Sequence, residues 1–305
     1  MYNGGMSLPR RSSRAWTLHG ASVAPRRAQL RTPVHLVVRG DALKTILEKV
    51  ERHLDVVLGE IHSSHTVLIK INANSSNPFP ASTSPEMLMS IIRLLRKRGV
   101  HRIVVGDCTS LTCLPTRKVF ADLGLPERIG TSARLQAFDE GRWTRLQLDG
   151  RYLKNVLISR TALEVDRIIN LANVKTHVLA DFALGIKNLV GLTHPRDRKP
   201  LHRDHLQEKI AELVHAVEPD LTIIDARSMF VSGGPNKGTV RTGDRVLLGT
   251  DILASEVQAY EYLRSQCVAH AVPCTLADDP SEMRMFRCFT AEELRHARAV
   301  VWEQL

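Results

Sequence analysis

The sequence predicts an α/β protein: a mainly parallel sheet with helices on both faces, in Rossmann-like layers. Three observations carry that expectation. Short β-rich runs alternate with longer helical patterns along most of the 305 residues. Several runs are apolar almost throughout, as in T-V-L-I-K-I at 66–71, which a strand covered on both faces requires. Polar residues recur where such runs end, and open α/β sheets bind ligands beyond the carboxyl ends of their strands.

The elements follow in order. V-H-L-V-V at 34–38 reads as a first strand, followed by an amphipathic helix over 43–58. After the strand at 66–71 and a loop rich in Asn, Ser and Pro, Ser84-Pro85-Glu86 opens a helix with a capping hydroxyl, a first-turn proline and an acid. That helix ends in Arg96-Lys97-Arg98 before Gly99, cations and a glycine at the negative end of the helix. A strand at 102–107, a helix near 115–123 and a weaker β-rich stretch to about 157 come next. A strand at 165–170, helices at 181–191 and 204–217, and strands at 221–225 and 245–249 follow. Asp251 then caps a helix to about 264, and Thr290 caps a last helix.

Hydrophobic residues make up 43% of the chain, enough for a sizeable core, and no apolar run is long enough to span a bilayer. The formal net charge is +10, but residues 1–40 hold seven arginines and no lysine or acid. Removing those seven leaves +3 for the rest. The basic excess therefore belongs mostly to an Arg-rich arm, residues 1–32, which holds six of the seven and is expected to be disordered, with residues 33–305 expected as a single α/β domain. Nucleic acid is not an expected partner, because the folded part lacks a basic face interleaved with aromatics. Arg10-Arg11 precedes a poor apolar region, which argues against a twin-arginine signal. A transit peptide, an untargeted tail and a start at Met6 all stay open. The expected location is cytoplasmic, with no membrane partner; a homo-oligomer is compatible with the sequence. Five cysteines (108, 113, 267, 274 and 288) form no C-x-x-C pair, so neither a disulfide framework, a zinc site nor an iron–sulfur cluster is expected.

The most informative stretch is N-V-K-T-H-V-L-A-D-F-A-L-G-I-K-N-L-V-G-L at 173–192. It sets Lys175, His177, Lys187 and Asn188 in an apolar context. Gly185 and Gly191 each cost about 1 kcal/mol relative to alanine in a helix, which implies close backbone packing. Lys70 lies between two isoleucines, and a lysine is rarely fully buried without a partner. With Asn72, Asp107, Asn170, Asp225 and Asp251 it marks strand ends, although each singly also reads as a turn or cap residue. H-P-R-D-R-K-P-L-H-R-D-H at 194–205 reads as a mobile polar loop over the site rather than a metal centre. Ser232-Gly-Gly-Pro-Asn-Lys-Gly-Thr239 is neither a dinucleotide fingerprint nor a Walker loop, but Gly233 and Gly234 offer backbone N–H groups to an anion.

Five motifs in order, V-L-I-K-I-N, I-V-V-G-D, the block at 173–192, P-D-L-T-I-I-D-A with G-G-P-N-K-G, and L-L-G-T-D, span about residues 34–265 and resemble the bacterial family catalogued as domain of unknown function 362. That resemblance implies the same α/β fold but no assigned activity. Many members carry a ferredoxin-like cysteine cluster, which this chain lacks, and many have proline where Ile71 stands. The H-x7-G-x-K spacing of His177, Gly185 and Lys187 is also distantly similar to the lactate racemase superfamily, where His and Lys surround a nickel-pincer cofactor.

The function expected is that of an enzyme acting on a small carboxylate- or phosphate-bearing substrate, by proton transfer, isomerisation or cyclisation in a biosynthetic pathway. Lys70, Lys175 and Lys187 would neutralise its charge, with Asn72, Asn188, Gly233 and Gly234 at the substrate. His177, Lys187 and Lys70 would form the catalytic set, with His177 as acid/base. Asp107 and Asp225 would orient a partner or a Mg²⁺ ion. The alternative is a non-catalytic binding or accessory protein that uses its basic N-terminal arm.

Overall fold

The structure, a computed structural model, describes Ala28 and residues 33–40, 42–273 and 275–305. The expected arm at 1–32 therefore lies outside the described residues, apart from Ala28. Eleven strands appear among them: β1 (His35–Arg39), β2 (Thr66–Lys70), β3 (Arg102–Asp107), β4 (Arg134–Ala137), β5 (Trp143–Gln147), β6 (Asn155–Ser159), β7 (Arg167–His177), β8 (Asp181–Ala183), β9 (Leu221–Gly233), β10 (Gly238–Gly249) and β11 (Glu303–Gln304). Nine of them form one sheet in the order β11-β1-β10-β9-β7-β2-β3-β4, with β8 added to β7, while β5 and β6 pair as a separate hairpin.

The central run β9-β7-β2-β3-β4 is parallel throughout. On the far side β10 and β1 pair antiparallel. Helices α1 (Leu43–Val57), α2 (Pro85–Lys97), α3 (Thr116–Asp122) and α4 (Leu125–Ile129) cover one face. On the other lie α5 (Arg160–Glu164), α6 (Gly185–Asn188), α7 (Pro195–Arg203), α8 (Leu206–Glu212), α9 (Ile252–Ala269) and α10 (Ala291–Ala299). Alternation along each strand divides the core: Val67 and Ile69 face the α2 side of the sheet, whereas Leu68 faces the opposite side. The mainly parallel, doubly covered sheet is the expected fold.

Connectivity reverses at β2. From it the chain steps to β3 and β4 on one side, and later to β7, β9 and β10 on the other. Such a switch point opens a crevice at the strands' carboxyl ends. β7 deepens it. It pairs with β2 only as far as Lys70↔Asn170, then runs on to His177 along β9 and β8. Its last seven residues thus stand above the end of β2.

Several boundaries differ from expectation. The helix expected at 181–191 is a strand, β8, followed by the one-turn α6 and a further tight turn at Leu189–Leu192. Asp181 has φ 60°, so it closes the β7–β8 hairpin instead of starting a helix. The strands expected at 165–170, 221–225 and 245–249 are much longer, because β7, β9 and β10 continue side by side past the expected strand bounds. The expected loop at 194–205 contains helix α7, with Pro195 in its first turn and Pro200 inside it.

The caps fall where the sequence places them. Ser84 accepts from the Met87 N–H, Thr290 forms a full capping box with Glu293, and Asp251 accepts from the N–H groups of Leu253 and Ala254. Asp251→Ala should therefore lower stability by about 1 kcal/mol. In urea denaturation this appears as a lower midpoint at unchanged slope; an unchanged midpoint would contradict the assigned cap.

Candidate functional site

The crevice is a cavity of about 480 Å³. Three strand ends and one helix build it. Lys70 and Asn72 come from the end of β2, Asp107 and Cys108 from β3, Lys175 and His177 from the overhang of β7, and Lys187 and Asn188 from α6. α7 closes it with Arg198, Lys199, His202 and Arg203, and the β9–β10 turn adds Pro235 and Asn236. Among the described residues lining it, six are basic (Lys70, Lys175, Lys187, Arg198, Lys199 and Arg203) and Asp107 alone is acidic.

That carboxylate is already used. Lys70 Nζ lies 2.8 Å from Asp107 Oδ1, both buried. The Lys70 ammonium also donates to the Ile71 carbonyl at 2.6 Å and to Asn188 Oδ1 at 3.3 Å. Asp107 accepts from the Cys108 N–H at Oδ1 and from the Ala73 N–H at Oδ2. Burial lowers the Lys70 pKa, opposed by Asp107. Gly191 is fixed by this pair: a Cβ there would lie 1.9 Å from Asp107 Oδ1 and 2.6 Å from Lys70 Nζ. The close packing expected of Gly191 is thus packing against an ion pair.

The other cations have no carboxylate at ion-pair distance among the described residues. Lys175 donates to Asn72 Oδ1 at 3.2 Å and to the Ala81 carbonyl at 2.8 Å. Burial, then Lys187, brings its pKa down to about 7. Lys187 has no hydrogen-bond acceptor among the described residues, and burial with Arg198 lowers it to about 8. Arg198 spends its guanidinium on the carbonyls of Thr109, Gly191 and Thr193, which hold the walls together but leave its charge unbalanced.

Asn188 ties α6 to the sheet. Its Nδ2 donates to Asn170 Oδ1 at 2.9 Å and to the Leu171 carbonyl at 3.2 Å. Asn170 Nδ2 donates in turn to the Gly185 carbonyl. Beneath, the buried Glu256 of α9 accepts the Ile186 N–H at 2.8 Å, and burial raises its pKa to about 8. Glu256 therefore supports α6 as a neutral acid. Nothing in an apolar helix pattern singled it out.

His177 is not placed as the expected acid/base requires. Its Nδ1 accepts the N–H groups of Leu179 at 3.0 Å and Ala180 at 3.2 Å. Two donors on Nδ1 assign the ring proton to Nε2. Burial, then Lys187 and Lys175, holds its pKa down at about 2, so it stays neutral. A neutral Nε2–H tautomer whose lone pair is occupied is a hydrogen-bond donor, not a proton acceptor.

Three expected residues are not brought in. Asp225 lies mid-strand in β9, bound through both oxygens to Arg227 at 2.8 and 2.5 Å. Two strands separate β9 from β3, about 14 Å at ordinary strand spacing, so Asp107 and Asp225 cannot share an ion. Their expected metal role is corrected on that ground, and the described residues hold no cluster of three metal-ligating side chains. Gly233 and Gly234 have φ +77° and +70° and shape the β9–β10 turn; a Cβ on Gly234 would lie 2.0 Å from the Thr176 carbonyl. Only their neighbours Pro235 and Asn236 line the cavity. Sequence reading missed Arg198, Lys199, His202 and Arg203 as a set. Their i, i+1, i+4, i+5 spacing was the available signal, since it marks one helix face.

Lys70→Met should destabilise the fold by roughly 3–5 kcal/mol, because it leaves a buried carboxylate unpaired. Lys70→Met combined with Asp107→Asn should recover part of that loss in the same urea titration. Equal losses for the single and double variants would show that the pair is not coupled.

The family described as Domain of unknown function (DUF362) matches residues 67–261. Thylakoid-associated protein sll1697 of Synechocystis sp. (strain ATCC 27184 / PCC 6803 / Kazusa) is 24% identical over 222 residues, 70% of this chain and 64% of that protein. The chain thus spans slightly less than two thirds of that curated relative. Among solved structures, a protein from Thermotoga maritima aligns over 76% of this chain and 60% of its own, with TM-score 0.47 and 14% identity. The lactate racemase apoprotein from Thermoanaerobacterium thermosaccharolyticum aligns over 71% and 54%, with TM-score 0.45 and 12% identity. Thylakoid association is stated of the Synechocystis protein; in this chain no described helix is long and apolar enough to cross a membrane. With the family match covering most of its length, this chain belongs to the DUF362 family.

Proposed function

We propose that this protein is an enzyme acting on a small anionic substrate, carboxylate- or phosphate-bearing, by proton transfer next to a carbonyl group. The observation that carries the reading is the charge of the cavity: six basic residues face one carboxylate, and Lys70 already holds it. Buried charges without partners are costly, and an anion would relieve that cost for several groups at once.

The residues divide the work. Lys187, with no acceptor of its own, binds the anion, and Arg198 adds long-range attraction. Lys175 is the candidate base: with a pKa of about 7 it is close to half neutral at physiological pH. Asn72 and the Ala81 carbonyl hold its nitrogen by two of its protons, so the lone pair exposed on deprotonation is oriented. His177 donates its Nε2–H to the substrate carbonyl, stabilising the negative charge that develops as the neighbouring C–H is removed. Isomerisation or cyclisation would both begin from that step.

The sign of the pH dependence follows. Activity needs Lys175 neutral and Lys187 charged, so the rate should rise through about 7 and fall through about 8. For stability, both lysines have folded pKa values below their unfolded ones. The unfolded chain binds more protons between about 7 and the ordinary lysine value, so the ligand-free protein should gain stability as pH rises across that range.

Mass spectrometry of metabolites retained on the purified protein identifies the substrate class. Incubating such a compound with the enzyme in D₂O should place deuterium on the carbon beside its carbonyl. Lys175→Met should slow that exchange by about 10²–10⁴. Full exchange by Lys175→Met and His177→Ala proteins that remain folded would refute the assignment.

A further inference from the structure

We infer that the ligand of this cavity is an amphiphile: an anionic head joined to an apolar body that lies along the rim formed by Val178, Leu179 and Leu111. This rests on the reading of the cavity as an anion site and extends it from a charge to a shape.

The rim carries the inference. Val178 is 71% exposed and Leu179 64% exposed, and Leu111 is at 36%. All three line the mouth of the same cavity whose floor holds Lys70, Lys175, Lys187 and Arg198. Val178 and Leu179 form the tip of the β7–β8 hairpin, immediately after His177. Tight turns ordinarily carry Gly, Asn, Asp or Ser, whose side chains suit the backbone and the solvent. Two adjacent branched apolar side chains there gain nothing from the fold, which does not bury them. The tip is also held in place, because His177 Nδ1 accepts the N–H groups of both Leu179 and Ala180. The residue that faces the head thus fixes the residues that would face the body.

Size is an independent argument. A cavity of about 480 Å³ falls in the range that encloses ligands of many heavy atoms. A bare carboxylate or phosphate would fill a small part of it. Lys70, Lys175 and Arg198 are buried at the inner end and Lys187 is half-buried, while the exposed apolar groups lie at the mouth, with Lys199 and Arg203 of α7 also exposed. A ligand with charge at one end and hydrocarbon at the other meets both without burying an unpaired group.

The test is isothermal titration calorimetry of the full-length protein at fixed ionic strength. The probes are straight-chain carboxylates and alkyl phosphates of two to ten carbons, each below its micelle concentration. Affinity should rise by about two- to fourfold for each added methylene, as partial to full burial of a methylene gives. The double variant Val178→Ser, Leu179→Ser alters exposed side chains only and should stay folded. It should bind the shortest anions like the unaltered protein and lose the increment with chain length. Lys187→Met should weaken all members of each series by a similar factor. Affinity independent of chain length in the unaltered protein would overturn the inference while leaving the anion site standing. Failure of every probe to bind, whatever its head, would overturn the anion site and the inference with it. Binding to anionic phospholipid vesicles with none to the free amphiphiles would also overturn it, in favour of a membrane surface.

Discussion

Burial of positive charge at the carboxyl end of a parallel sheet is the constraint on which the rest of this structure depends. A lone ammonium moved from water into protein costs several kcal/mol. The fold brings Lys70, Lys175, Lys187 and Arg198 into one crevice and, among the described residues, supplies a single carboxylate, Asp107, which pairs with Lys70. The remaining charge is handled by other means. Carbonyl oxygens accept from Arg198 and Lys175, and Lys175 and Lys187, which lie at ion-pair distance from no carboxylate among the described residues, have lowered affinity for their protons.

Much of the surrounding geometry follows from that arrangement. Gly191 has no room for a side chain because the Lys70–Asp107 pair occupies it. Asn188 must reach Asn170, Leu171 and Lys70 together, which pins α6 over the end of β2. β7 overshoots β2 so that Lys175 and His177 stand above Lys70, and that overshoot is possible because β9 runs alongside to supply backbone partners. His177 fixes its own hairpin tip, so cavity floor and rim share one rigid ladder.

The sequence made the sheet legible where burial on both faces produces unbroken apolar runs. β2 and β3 begin and end close to where those runs do. The overhangs were not legible, because Lys175 and Arg227 are polar residues buried within long strands, and polarity there mimics a loop. The apolar spacing of 181–191 predicts a helix, but Asp181 takes a left-handed conformation that local propensity does not reveal. Pro200 disguised α7 as a loop and with it the cationic face that closes the cavity. Lys70, Asn72, Asp107, Lys175, His177, Lys187 and Asn188 do converge, since strand ends at a switch point are neighbours by topology. Asp225 does not, because its apparent strand end lies in the middle of β9. The hydrogen bonding of His177 needed coordinates: which ring nitrogen is occupied depends on a hairpin turn two residues away.

The central claim is that the cavity holds unbalanced cations awaiting an anion. Its most direct test is NMR titration of lysine side chains labelled at Cε and Nζ, assigned through Lys175→Met and Lys187→Met, with and without saturating anionic ligand. The account predicts resonances titrating near 7 and 8 in the free protein, with that of Lys187, the anion-binding lysine, displaced upward toward the ordinary lysine range when the anion is bound. Two lysines that titrate near 10.4 in the free protein, unmoved by any anion, would contradict it.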